Sequence, residues 1–260
     1  MKIAIITLIS LAFIGCAKDQ SGVAEKLEKL DQKMDRIEQK LAQMGTPNRP
    51  EQPRARRPQP GTVYSIPVDG APVKGNPEAK VTIVKAMEFA CPACEQTRPF
   101  VDQILAEMGD RVNIAYKHFI VHPGRAEVPA YAACAANRQG KYAEMEKLIW
   151  DEGFKARKLD KEHMRSLAGK LDLDMARFDA DMNGACVEIV GQDHAQMKAI
   201  GTRGTPTFFV NGKVLTQRSL AGVKAMVEAE EKQVAERNAR DSKASDYYAE
   251  WVVKKGKKTL

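Results

Sequence analysis

A chain of 260 residues holds one large domain or two ordinary ones, and 43% hydrophobic against 29% charged residues excludes wholesale disorder. Aromatics at 6% are too sparse for a stacking platform on single-stranded nucleic acid. The net charge of +7 sits on the flanks: residues 17–60 hold ten Lys/Arg against seven Asp/Glu, residues 243–260 five against two, and residues 61–242 twenty-five of each. A neutral body with basic flanks argues against nucleic acid as a partner.

Lys2 precedes an apolar run over residues 3–15, interrupted by Thr7 and Ser10. As a helix this run is about 20 Å long, short of the roughly 30 Å hydrocarbon core, and it fits the apolar region of a secretory signal. Phe13, Ile14, Gly15 and Cys16 close the run and resemble the bacterial lipobox, whose cysteine becomes the first mature residue and carries the lipid. Phe13 departs from the usual Leu, and Ala17 is not the Asp that the resemblance ties to inner-membrane retention. Residues 1–15 are expected to be a lipoprotein signal and Cys16 a lipid anchor, with the outer membrane favoured. The alternative is an ordinary cleaved signal with an incidental cysteine. Either route leads to the periplasm, where disulfides persist.

Val23, Leu27, Leu30, Met34, Ile37, Leu41 and Met44 then recur at alternating spacings of four and three. That is a heptad repeat with Leu27, Met34 and Leu41 at a and Leu30, Ile37 and Met44 at d. In a parallel assembly Lys26 and Lys33 at g would face Asp31 and Glu38 at e of a neighbour. A coiled coil over residues 16–45 is expected, forming a homo-oligomer through residues 23–44 with a trimer favoured. The alternative is an amphipathic helix folded back on its own domain. Residues 46–61 follow with five prolines and the cluster Arg54, Arg56 and Arg57. Such a segment is an extended spacer reaching roughly 50 Å at about 3.1 Å per residue.

The body is expected over residues 62–242. Residues 81–89 read as a strand, Cys91-Pro92-Ala93-Cys94 follows, and Phe100, Val101, Ile104, Leu105 and Met108 mark a helix. The CxxC thus falls where strand gives way to helix. Pro92 suits a first helical turn, whose unpaired amides favour a thiolate on Cys91. Cys94, one turn on, can attack a mixed disulfide formed on Cys91. Zinc or copper would need two more ligands; His118 and His122 are the candidates, and no metal site is expected from them. Thr205 and Pro206 open a second signal, a strand over residues 207–210 closed by an Asn211–Gly212 turn. Ser219 reads as the cap of a helix carrying Leu220, Val223, Met226 and Val227.

Strand, CxxC and helix early in the domain, with Thr205-Pro206 and a strand late, resemble the thioredoxin superfamily. The 84 residues between Phe119 and Gly204 resemble the helical insertion of DsbA-like oxidoreductases, as does the path through Tyr116, Lys117, His118, Phe119, His122 and Pro123. The resemblance implies an α/β thioredoxin fold with an insertion at about residues 120–203, preceded by the coiled-coil helix and followed by a basic tail over residues 243–260. It also implies that Cys91 and Cys94 are the redox pair, and that Thr205 and a cis Pro206 bind an extended substrate. No cofactor is implied, because the dithiol is the redox group. Two departures stand out. Lys85 occupies the place of an acid found in many relatives; it is either a solvent-facing strand residue or a cation that makes Cys91 more acidic. Ala93 replaces the His of strongly oxidising members, which predicts a less oxidising disulfide. Beyond Cys16 and the redox pair, Cys134 and Cys186 remain, either bridged across the insertion or present as two buried thiols.

The expected activity is thiol–disulfide exchange on unfolded or misoxidised envelope proteins, served by a redox partner protein. A multimer of active sites suits an isomerase or reductase, and Thr205 beside the proline resembles the isomerase branch of the family more than the strongly oxidising one. A DsbA-like dithiol oxidase is the alternative, and a non-enzymatic envelope tether or copper-binding protein is the rival from another class. The tail carries Tyr247, Tyr248, Trp251 and Val252, which could dock on the body.

Overall fold

The computed structural model describes residues 20–43, 57–240 and 246–260. The apolar run, Cys16, Met44 and the spacer up to Arg56 lie outside the described residues. Among the described residues the first unit holds one helix, α1 (Gln20–Gln43). Within this single chain Val23, Leu27, Leu30, Met34 and Ile37 are each more than half exposed along one stripe of it. A helix of this length with an uncovered apolar seam is marginal alone in water.

The second unit is built on a five-stranded sheet in the order β1-β3-β2-β4-β5. β1 (Val73–Gly75) pairs antiparallel with β3 (Val112–His118), which runs parallel to β2 (Val81–Met87) from Val81↔Val112 to Met87↔His118. On the other side β4 (Thr207–Val210) is antiparallel to β2, with Lys85 opposite Phe208, and β5 (Lys213–Val214) closes the edge. Asn211 and Gly212 join β4 to β5 with φ of 43° and 77°. Both central turn residues are thus left-handed, as the short hairpin requires, and a Cβ on Gly212 would come within 2.4 Å of the Tyr64 carbonyl.

β2 lies in the middle and all seven of its residues are buried. On one face Ile83, Met87, Ile114, Tyr116, Phe208 and Val210 form a core with Val101 and Ile104 of α3 (Arg98–Met108) and with the helical insertion. On the other, Val84, Ala86, Ala115 and Phe209 pack with Val234 of α9 (Leu220–Arg240), Tyr64, Ile66, Tyr248 and Val252. The expected helix after the CxxC is two: α2 (Pro92–Gln96) ends at Thr97, and α3 starts with Pro99 in its first turn. Pro99 has no amide to continue the ladder, so the chain restarts there.

The insertion comprises α4 (Glu127–Asn137), α5 (Tyr142–Leu148), a π-helical turn over Ile149–Phe154, α6 (Lys161–Ala168), α7 (Met175–Asn183) and α8 (Ala185–Ala199). Buried Ala130, Ala132, Ala133, Ala135 and Ala136 make α4 thin enough for its neighbours to pack closely around it. Asp160 and Asp174 cap α6 and α7 by accepting from the amides of His163 and Arg177 at 2.9 and 3.0 Å. Trp150 is fully buried, its ring 5.0 Å from that of Phe89, so the insertion packs on the residues leading into the CxxC.

The carboxy-terminal segment is built into the domain. The Tyr248 hydroxyl donates to the Ile66 carbonyl at 2.8 Å, the Lys257 amide donates to the Val63 carbonyl at 2.9 Å, and the Leu260 amide donates to the Ala199 carbonyl at 3.1 Å. Trp251 lies under the Arg237 guanidinium and the Lys255 ammonium, 3.9 and 3.4 Å from its ring centre. Those contacts absorb part of the tail's positive charge into the fold. Among the described residues no helix is long and apolar enough to cross a membrane.

Candidate active site

Cys91 occupies the N-cap of α2 with an extended backbone, φ −92° and ψ 116°, and Pro92 begins the helix. Its carbonyl accepts from the amides of Cys94 and Glu95 at 3.0 and 3.3 Å, winding Cys94 back beneath it. Both are free thiols; Cys91 is 6% exposed and Cys94 fully buried. The Cys91 thiol is held at about 5, chiefly by the thiol hydrogen that Cys94 donates to it. Burial opposes that shift, and the Thr205 side chain and the amides of Cys94 and Ala93 support it. Cys94 is pushed far up, first because its proton serves the Cys91 sulfur and second because it is buried. One thiolate therefore lies outermost at neutral pH, with a protonated thiol behind it. The leading cause is a neighbour in the motif itself, whereas reasoning from a helix start alone credits only the amides. Nor is a His between the cysteines required for an acidic thiol here.

The second half of the site arrives from the loop before β4. The Thr205–Pro206 peptide is cis, and the Thr205 carbonyl lies 3.3 Å from Cys91 Sγ. Residues 114 positions apart thus meet at one sulfur.

Lys85 corrects the solvent-facing expectation. It is 1% exposed, between the rings of Tyr116 and Phe208, its ammonium 5.8 and 5.9 Å from their centres. Both faces of β2 are covered, so this strand has no solvent side. Burial is the largest cause and lowers the Lys85 pKa; Cys94 and Glu146 oppose it, and Lys74 and Arg98 add to it. Lys85 is not among the causes that make Cys91 acidic.

Glu88, fully buried just before the motif, accepts from the amides of Val121 and His122 at 2.6 and 3.0 Å and pairs with the His122 ring. It fixes the loop after β3 against the active-site turn. His118 is buried near Phe89 with both ring nitrogens unpartnered, and burial lowers its pKa. Of the two histidines weighed as ligands, His122 is taken up by Glu88 and His118 stands apart from it, and among the described residues no three His, Cys, Asp or Glu side chains cluster as a metal would need. Cys134 on α4 and Cys186 on α8 are joined, with Cα atoms 5.7 Å apart. Cys16 lies outside the described residues.

A cleft of about 550 Å³ opens beside the proline loop, lined by residues 201–208, by the edge hairpin and by Arg57 and Pro58. Sequence reasoning missed it, because its walls come from three separated stretches of chain.

The geometry has counterparts in known proteins. The chain is 32% identical over 144 residues to the Na(+)/H(+) antiporter NhaA of Herminiimonas arsenicoxydans, covering 55% of this chain and 22% of that protein. It is 37% identical over 147 residues to Na(+)/H(+) antiporter NhaA 1 of Salinispora arenicola, covering 54% and 22%. It therefore spans about a fifth of the length of the curated relatives it matches. Among solved structures, BdbD from Bacillus subtilis superposes with a TM-score of 0.59 at 18% identity, over 67% of this chain and 100% of that one. A thioredoxin-like oxidoreductase from Silicibacter pomeroyi gives 0.54 at 26%, over 63% and 93%. The thiol-disulfide exchange protein α-DsbA2 from Wolbachia pipientis gives 0.53 at 14%, over 61% and 86%, a likeness of fold. The thioredoxin family model matches residues 68–229, well over half of the chain. Because that match runs through both the cysteine pair and the proline loop that meets it, the chain belongs to the thioredoxin family.

Proposed function

We propose that this protein is an envelope thiol:disulfide oxidoreductase acting on cysteines of unfolded or misoxidised proteins. The observation that carries the reading is the acidic Cys91 sulfur lying 3.3 Å from the backbone of Thr205, where an extended chain can pair. In the reducing direction the Cys91 thiolate attacks one sulfur of a substrate disulfide, and the other leaves as a thiolate. The Cys91 sulfur is then neutral, so the main cause holding the Cys94 proton is gone. Cys94 loses that proton and attacks Cys91, closing the Cys91–Cys94 bond and releasing the reduced substrate. Run backwards, the same steps oxidise a substrate dithiol, and a redox partner protein resets the pair. No metal or organic cofactor enters.

Two directions divide the reading. The exposed heptad stripe of α1 supports a homo-oligomer through residues 23–44, trimeric by its a and d residues, and several active sites held together favour isomerase or reductase work. The acidity of Cys91 favours oxidation instead, because a stabilised thiolate stabilises the reduced form. Equilibration with glutathione, alongside refolding of scrambled ribonuclease, decides between them. Reshuffling with a potential nearer the endoplasmic-reticulum poise supports the isomerase. A potential near about −120 mV without reshuffling supports the oxidase. No exchange at all would end both and favour the tether.

The signal over residues 1–15 and a lipidated Cys16 complete the proposal, as a periplasmic lipoprotein held at the outer membrane. Leu30→Glu with Ile37→Glu is expected to turn the oligomer into a monomer in sedimentation. An unchanged mass would remove the rod as the assembly element.

A further inference from the structure

We infer that the cleft beside Pro206 selects substrate segments carrying acidic side chains next to the reacting cysteine. The inference rests on the thiol-exchange reading and names the class of chain it acts on. Arg57, Arg203 and Arg218 line the cleft together with Thr202, Thr205 and Pro206, and among the described residues no carboxylate lines it. Arg57 and Arg218 are exposed and form no ion pair among the described residues. Arg57 is held there by its own segment: its carbonyl accepts from the Gln59 side chain at 2.8 Å, and the Gln59 amide donates to the Tyr64 hydroxyl at 2.9 Å. The last residues of the spacer are thereby laid along the proline loop.

A second observation points at an acceptor. Thr202 is 2% exposed and its hydroxyl has no partner. A buried hydroxyl without a partner is uncommon, and that of Thr202, in one cleft with Arg57 and Arg218, adds a donor that a carboxylate satisfies. Residues 61–242 carry equal numbers of positive and negative charges, so attraction of acidic chains comes from this local arrangement rather than from the field of the whole domain. A strand docked on the Thr205 backbone with its sulfur at Cys91 passes directly over the cleft. Residues flanking its cysteine then meet the arginines.

Three peptides test this on the full reduced chain: one cysteine each, flanked on both sides by two glutamates, two glutamines or two lysines, and activated as the 2-pyridyl disulfide. Cys91 thiolate attacks the peptide sulfur, the new disulfide forms, and pyridine-2-thione departs as the absorbing product. Each rate is divided by that of the same peptide with 2-mercaptoethanol, which removes intrinsic reactivity. The glutamate peptide is expected to react at least tenfold faster than the lysine peptide at low salt, with the ratio shrinking as salt rises. In the Arg57→Ser, Arg218→Ser chain that ratio falls at least threefold. Equal corrected rates for glutamate and lysine peptides, or a ratio untouched by the double substitution, overturn the inference while exchange itself stands. Failure of all three peptides to release pyridine-2-thione overturns the thiol-exchange reading instead.

Discussion

The thiolate absorbance of the reduced protein is expected to titrate with a midpoint near pH 5, and Cys91→Ser is expected to remove that signal together with all exchange activity. The midpoint follows from geometry that places the Cys94 thiol and the amides of Cys94 and Ala93 around one sulfur. It carries a consequence for stability. An ordinary cysteine titrates near pH 8.5, so the folded state holds the charged form over a range in which the unfolded chain holds the proton. Stability gained this way is fully present above the unfolded value and is lost as pH falls through 5. The reduced wild-type chain is expected to gain on the order of 5 kcal/mol over the Cys91→Ser chain between pH 4 and pH 8.5. Urea unfolding of both chains at several pH values reads the difference directly, and equal slopes would show that the sulfur is not held ionised. Lys85→Met serves as the discriminating variant. Since Lys85 is not among the causes at Cys91, the Cys91 midpoint is expected to move by less than about half a pH unit. A rise of a whole unit would make Lys85 an active-site cation after all.

Lys85 also shows where reading the chain by itself stops. A charged residue in a run of apolar ones looks like the wet side of a half-buried strand, and only the sheet order reveals that β2 has neighbours and helices on both faces. The CxxC was legible because local chemistry determines it: a β-rich run, then Pro92, which permits a helix only at its start. The Asn211–Gly212 hairpin was legible for the same reason, since positive φ at two positions selects those residues. What was not legible depends on distant partners. The break at Thr97 is the exception, since Pro99 is a local signal for it. The docking of Tyr248 and Val252, the Glu88 clamp on the loop after β3, and the cleft bounded by Arg57 and Arg218 all need the third dimension. The candidate site divides along the same line. Residue types at short spacing identified the nucleophile, while its main source of acidity, the Cys94 proton, required the turn to be folded.

Removing the bridge in the insertion is expected to cost about 4 kcal/mol while leaving chemistry at Cys91 nearly intact. Cys134 and Cys186 close a loop of 52 residues between α4 and α8. In the chain-entropy account a loop of that size lowers the entropy of the unfolded chain enough to give this figure. For a domain of this size the melting temperature should fall by roughly 8–16 °C in the Cys134→Ala, Cys186→Ala chain. Side-chain packing should not collapse with it, because Phe178, Met182 and the alanines of α4 still bury the same interface. The groups that make Cys91 acidic all belong to α2 and to the loop carrying Thr205. Exchange with a small disulfide below the melting range should therefore stay within about twofold of wild type, as a matter of which residues touch the sulfur. A melting temperature that does not move would mean the bridge restrains little in the unfolded chain. A tenfold loss of exchange would show instead that the insertion, through Trp150 against Phe89, holds the active-site turn in place.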